Sequence, residues 1–316
     1  MTTKQIFDLA IKLGITSDLR GEDRVKKCLS RLRKKYEEMP AKAKAEFDLE
    51  KLSNPYSDSR LLIDNGRPQI KKILVGIDME GAELLLAKQM GDIDLVIAHH
   101  PEGSALADLS DVMSLQAQVL ADYGVPINIA ESVIKPRISE VSRGVSPLNH
   151  DRAVDMARLL GLDFICVHTP ADNLGASFLV KLFKAKKQKL ETVGDILDLL
   201  KTIPEYKAAA LKKTGPTIFA GAPEHSCGKI VVTEFTGGTS GSKDMYEKMA
   251  QYGIGTIIGM HMSEEHRKEA EKYHLNVIIA GHIASDSLGM NLFLDELEKK
   301  KVEVIPTSGL MRVKRF

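Results

Sequence analysis

Apolar positions along the chain follow two different periods. From Met1 to about Asn65 they recur at helical spacing: Ile6, Phe7, Ala10 and Leu13 share one face, and Val25, Cys28, Leu29 and Leu32 share another after Arg20 and Gly21. Breakers follow at Asn54 and Pro55 and again at Asn65, Gly66, Arg67 and Pro68, the second cluster marking a linker. Beyond it the period shortens. Strands are predicted at Lys72–Ile77, Ile93–Ala98, Val125–Ala130 and Leu162–His168, with helices at Gly81–Met90, Leu109–Tyr123 and Asn149–Leu160. From Lys181 to Ala222 the pattern is irregular, with five lysines between Lys181 and Lys189 and an amphipathic stretch at Val193–Leu200. Alternation then resumes, with strands at Lys229–Thr233, Gly255–Gly259, Asn276–Ala280 and Val302–Ile305. Helices are expected at Lys243–Tyr252, at Glu264–Tyr273 and on to about Lys300. The expected fold class is therefore α/β: a helical N-terminal extension (1–67), a first α/β half (68–180), a connecting segment (181–222) and a second α/β half (223–316). No short-period repeat is present.

Composition narrows the function classes. The 316 residues are 43% hydrophobic and 28% charged, ordinary for a globular chain that buries its core without staples. Lys plus Arg at 44 against Asp plus Glu at 43 leaves a net charge of +1, so no global field recruits nucleic acid or an anionic membrane. The lysine cluster reads as a solvated face. Cys28, Cys166 and Cys227 are odd in number and lack a Cys-x-x-Cys spacing, which argues against a disulfide framework and a thiolate zinc site and fits a reducing cytoplasm. No stretch reaches the roughly 18 apolar residues of a membrane span, and no apolar leader core is visible in Met1 to Leu13. A cytoplasmic protein acting on a small molecule is the expectation.

The chemistry gathers at strand ends. The run Ile93–Ala98 stops in His99, His100 and Pro101, where proline fixes φ and forces a turn, leaving two imidazoles at the rim of a sheet. The strand at Leu162 ends in His168 followed by Asp172, and the strand at Asn276 ends in Gly281 and His282 followed by Asp286. Both pairs are His-x-x-x-Asp, an interval that joins an imidazole to a carboxylate across a tight loop or on the first turn of a helix. Each pair alone is also what a helix cap or a satisfied loop would show. Together His99, His100, Asp172, His282 and Asp286 offer three nitrogens and two carboxylates, with His168 as a sixth group. That set exceeds the needs of one structural ion and suits two divalent metal ions, Zn, Mn or Fe, with open positions.

These residues resemble a known family. A strand ending in His-His-Pro, a later His-Thr-x-x-Asp and a C-terminal Gly-His-x-x-x-acid are similar to the Nif-three-like proteins, also called GTP cyclohydrolase 1 type 2 homologues, which are dinuclear metal proteins. Gly76, Ile77 and Asp78, the glycine-rich Thr236 to Ser242 and the run Ile257 to Met262 fall in the same order, and the resemblance spans about Ile70 to Pro306. It implies that His99, His100, Asp172, His282 and Asp286 hold the metals and that His168 stands beside them. It also implies two related α/β halves, often assembled as a ring-shaped homo-hexamer with sites opening inward. The chain departs from the family pattern in two places. Asp286 stands where Glu is usual, which shortens the reach of that ligand, and Glu102, Gly103 and Ser104 make the wall after His-His-Pro more polar.

The reading that follows is a metal-dependent hydrolase. Its ions lower the pKa of a bound water, and His168 shuttles the proton as the catalytic residue. By resemblance the substrate is a purine nucleotide such as GTP, opened at the imidazole-ring carbon with release of formate. A dinuclear phosphoester hydrolase and a non-catalytic scaffold whose extension recruits another protein stand as alternatives. The glycine loop Thr236–Ser242 is either a phosphate cradle or a plain strand-to-helix turn, and it fits neither a Walker loop nor a dinucleotide fingerprint. Of the other histidines, His261 alone falls at a strand end.

Overall fold

The computed structural model describes residues 1–316 and contains two sheets wrapped by helices. Its strands are β1 (Arg60–Ile63), β2 (Lys72–Gly76), β3 (Leu95–Ala98), β4 (Asp163–Cys166), β5 (Thr217–Ala220), β6 (Lys229–Val232), β7 (Ile254–Gly259), β8 (Asn276–Ile279) and β9 (Glu303–Pro306). The first sheet has the order β1-β4-β3-β2-β9 and the second β5-β8-β7-β6. In each, three strands run parallel and the first strand of the set lies antiparallel against the third of them, β1 on β4 and β5 on β8. The halves therefore share one topology, and β9 is an addition that extends the first sheet beside β2.

The parallel strands are covered on both faces, which explains their unbroken apolar sequence. On one face of the first sheet Ile73, Val75, Ile97 and Ile165 pack against Ile6 and Phe7 of the helix Thr3–Ser17 and against Phe293 and Leu294 of the helix His282–Glu298. On the other, Leu74, Val96 and Phe164 meet Leu84 and Ala153. The alternation of neighbouring residues between these clusters is the two-residue period of a strand.

The structure corrects three expectations. Residues 125–130 are not a strand: Pro126 caps a helix, Ile127–Val145, whose buried Ala130, Ile134 and Val141 recur at helical spacing. The short run Val-Pro-Ile-Asn-Ile-Ala carries no period of its own, so the residues beyond it decide its state. The segments 1–67 and 181–222 each contain an edge strand, β1 and β5, and the second also forms the helices Val193–Leu200 and Pro204–Leu211. Edge strands of four residues with half-exposed side chains show little alternation. Finally β9, at the end of the segment 223–316, crosses to the first sheet.

The N-terminal segment is part of the fold. Ile6, Phe7, Ala10 and Ile11 are buried in the main core, and each such side chain contributes roughly 1.5–3 kcal/mol for the larger apolar types. Polar ties add direction: buried Asp163 accepts from the Thr3 hydroxyl and from the Asn65 side-chain amide at 2.8 Å. No helix is long and apolar enough to cross a membrane.

Candidate metal centre

All six predicted site residues converge where the carboxyl ends of the two sheets face each other. His99 and His100 follow β3 directly. His168 follows β4 and precedes the helix Thr169–Lys186, and His282 opens the helix His282–Glu298 just after β8. Gly281 makes that last turn with φ of 108°, a conformation closed to most side chains. Asp172 and Asp286 lie one helical turn on from their histidines, so the helical form of the His-x-x-x-Asp spacing is the one adopted.

The two helices pack against each other through a matched pair of glycines. Both carry the same phrase, His-x-x-x-Asp-x-Leu-Gly, from His168 to Gly175 and from His282 to Gly289. A Cβ on Gly289 would sit 2.3 Å from the Ala171 carbonyl oxygen, and one on Gly175 would lie 3.5 Å from the Gly289 Cα. Absence of a side chain at Gly289 lets the helices approach closely enough to bring Asp172 and Asp286 into one buried pocket.

Three imidazoles are oriented through Nδ1. His99 Nδ1 lies 3.0 Å from the Val167 carbonyl, His100 Nδ1 2.6 Å from Asp78 Oδ1 and His168 Nδ1 2.8 Å from Asp58 Oδ2. Their Nε2 atoms consequently point inward. His99 Nε2 is 3.4 Å from Asp172 Oδ1 and 3.5 Å from Asp286 Oδ1. His100 Nε2 and His282 Nε2 are 3.5 and 3.6 Å from Asp286 Oδ2, and His168 Nε2 is 3.8 Å from Asp172 Oδ2. Most of these separations are too long for good hydrogen bonds. All but the 3.8 Å separation at His168 match instead the spacing of two atoms on one ion, since bonds of about 2.0–2.2 Å place tetrahedral ligands about 3.3–3.6 Å apart.

A test of fit comes from the buried polar atoms. His99 Nε2, Asp172 Oδ1 and both carboxylate oxygens of Asp286 are buried without a hydrogen-bond partner. Such groups cost about 1–3 kcal/mol each when nothing satisfies them. Here four of them converge, within the groups His99–Asp172–Asp286 and His100–His282–Asp286, whose ligand atoms lie within 4.8 Å of one another. The donor set thus fits divalent cations.

Charge tells the same story. Burial opposes ionisation of Asp286, but His99 and His100 outweigh it and hold this carboxyl well below the usual range. Asp172 is driven the other way, first by burial and then by the negative charges of Asp286 and Asp58. Burial disfavours the charged form of His100, yet Asp286 and Asp78 raise its pKa to about 9. Burial lowers His168 and His282, with neighbouring imidazoles adding to it. Two facing buried carboxylates that cannot both stay ionised unaided are what a cation neutralises.

Sequence reasoning missed the residues that support this arrangement. Asp78, two residues past β2, carries no signal beyond its place in the family's motif order, and Asp58 lies in a stretch read as helical. His261 was separable by its position after β7, and its ring does meet that of His282 edge-to-face with centroids 4.8 Å apart while Ser240 Oγ lies 3.1 Å from its Nδ1. The glycine loop is a turn. Its carbonyls are tied by Gln116 to Gly237 and Thr239, by Arg137 to Ser240 and by His266 to Gly241, while the Gly241 amide is taken by Glu234. The helix after it, Met245–Gln251, is too short for a phosphate cradle.

Comparison with known proteins agrees with this fold. No protein-family profile matches the sequence, and no curated protein resembles it closely. Among solved structures the chain is similar to a NIF3 superfamily protein from Sphaerobacter thermophilus, with 28% identity over 98% of this chain and 99% of that one and a TM-score of 0.79. Reduced HcgD from Methanocaldococcus jannaschii shares the fold at 15% identity, over 85% of this chain and 97% of that one, with a TM-score of 0.53.

Proposed function

We propose that this chain, which belongs to the NIF3 superfamily, is a hydrolase whose centre holds two divalent cations, zinc, manganese or iron. One observation carries the reading: the groups His99–Asp172–Asp286 and His100–His282–Asp286 share a single carboxylate. Asp286 turns Oδ1 to His99 and Oδ2 to His100 and His282, as a residue between two ions must. With this orientation the shorter side chain would reach both ions. Imidazole with carboxylate suits these metals over magnesium, which prefers an all-oxygen shell.

When bound, such ions acidify a water and polarise the substrate. The chain's own residues supply the rest. Asp172 and Asp286 fix the charge of the centre, and His99, His100 and His282 present their Nε2 atoms to these carboxylates. His168 has Nδ1 committed to Asp58, so Nε2 is the atom at which it takes up the proton of the attacking water and later returns it. Its burial favours the unprotonated form that this task requires. His282, with 40% of its side chain exposed, marks the side from which a substrate enters.

For the substrate we propose a purine nucleotide such as GTP, water adding to the imidazole-ring carbon to open the ring and a second water releasing formate. The same reading places the protein in the cytoplasm as a homo-oligomeric ring, a hexamer. Incubation of metal-loaded protein with GTP and with a generic phosphodiester tests it. Formate release is expected and is lost in His100→Ala. Released alcohol alone would shift the reading to a phosphoester hydrolase, and a metal-loaded protein inert toward both would leave a binding protein.

A further inference from the structure

We propose that Asp58, supplied by the N-terminal segment, is a positioning residue of the centre: it holds His168 with its proton on Nδ1 and its Nε2 lone pair turned toward the two aspartates. This deepens the reading of His168 given above and rests on it for the proton-transfer role.

Backbone pairing places Asp58. β1 lies antiparallel to β4 with Arg60 opposite Cys166, so the same register continued by two residues sets Asp58 opposite His168. Asp58 is completely buried and its Oδ2 accepts from two groups, the ring at His168 Nδ1 (2.8 Å) and the Thr169 hydroxyl (2.6 Å). Its neighbour Ser59 completes the grip by accepting the backbone N–H of His168 at 2.9 Å. Ring and main chain of one histidine are thus held by one dipeptide. With one carboxylate oxygen accepting from both groups, the shared proton belongs to Nδ1 and the inward nitrogen is left bare. The second half lacks this device: the turn before β5 carries Thr214, Gly215 and Pro216, with no carboxylate.

The wild-type chain, metal-free and zinc-loaded, is examined by long-range proton–nitrogen NMR, with His168 assigned from the His168→Gln spectrum. The expected result is a protonated Nδ1 and a bare Nε2 in both forms. Asp58→Leu, which removes the acceptor, should release the ring to the other tautomer, while zinc, held by the other five residues, stays bound. Asp58→Asn keeps an oxygen for both donors and should restore the tautomer. Thr169→Val removes the other donor to Asp58 and should lower the melting temperature while the tautomer stays. A proton on Nε2 in the wild type would overturn the proposal. So would an unchanged tautomer in Asp58→Leu, or a Thr169→Val variant that shifts the tautomer as much. If Asp58→Leu does not fold, the wild-type spectrum with the Asp58→Asn and Thr169→Val pair decides. The tautomer is read in metal-free protein, so its failure is separate from failure of the hydrolase reading, which shows as absent metal or absent turnover.

Discussion

The phrase His-x-x-x-Asp-x-Leu-Gly ends the parallel strands of both halves, yet the two copies are finished differently. In the first, His168 is buried and clamped by Asp58 and Ser59, and Asp172 is pushed toward its neutral form by burial and nearby negative charge. In the second, His282 is partly exposed, flanked by the rings of His100 and His261, and Asp286 is held ionised by the imidazoles around it. A shared topology therefore supplies the placement of one imidazole and one carboxylate per half, while the polar neighbours decide their roles. The first copy is a fixed wall and the second is the open side of the centre. The N-terminal segment makes the difference, because β1 and the residues before it bring Asp58 to one copy only.

Substitutions can break or sharpen this contrast. The largest effect is expected from Asp286→Ala, which removes the carboxylate common to both groups. Bound metal should fall from about two ions per chain to none, whereas Asp172→Ala should retain one, as read by elemental analysis after dialysis. Equal losses would remove the special place of Asp286.

Next come the paired glycines. Gly289→Ala drives a methyl into the Ala171 carbonyl and should destabilise by about 1–3 kcal/mol, while Gly175→Ala meets ordinary contact distance and should cost little. Denaturant unfolding of the two variants reads the difference. Similar midpoints would mean that the helices part as easily at either site.

The histidines offer a comparison of similar size. His168→Gln disrupts a buried carboxylate partner and should lose about 1–3 kcal/mol of stability in the metal-free protein. His282→Gln, at a partly exposed position, should stay within about 0.5 kcal/mol. The smallest effect is expected from Arg24→Ala. Its pair with Asp122 ties the N-terminal segment to the first half at the surface, both side chains being partly exposed, and should contribute no more than about 1 kcal/mol. A larger loss would mean that surface pairs, rather than the buried Ile6, Phe7 and Tyr56, hold the segment in place.

The six centre residues were legible because each belongs to a local signal: a β-branched run, an abrupt stop, and a histidine or an acid at a fixed interval. The layered α/β class was legible for the same reason, through the buried parallel strands. What escaped the sequence depends on partners far along the chain. β1 and β5 are short and half-exposed, so pairing, and not their own pattern, makes them strands. Val125–Ala130 resembles a strand until Ile134 and Val141 are counted with it. Asp58 reaches His168 only through the β1–β4 register, and no spacing announces it. The matched glycines were visible as letters, but their meaning lies in a helix contact that the sequence alone does not display.

The central claim is that one buried carboxylate serves two cation positions. Zinc bound per chain, measured on the purified wild-type protein by equilibrium dialysis and elemental analysis, tests it most directly. The account predicts about two ions per chain; a value at or below one would contradict it.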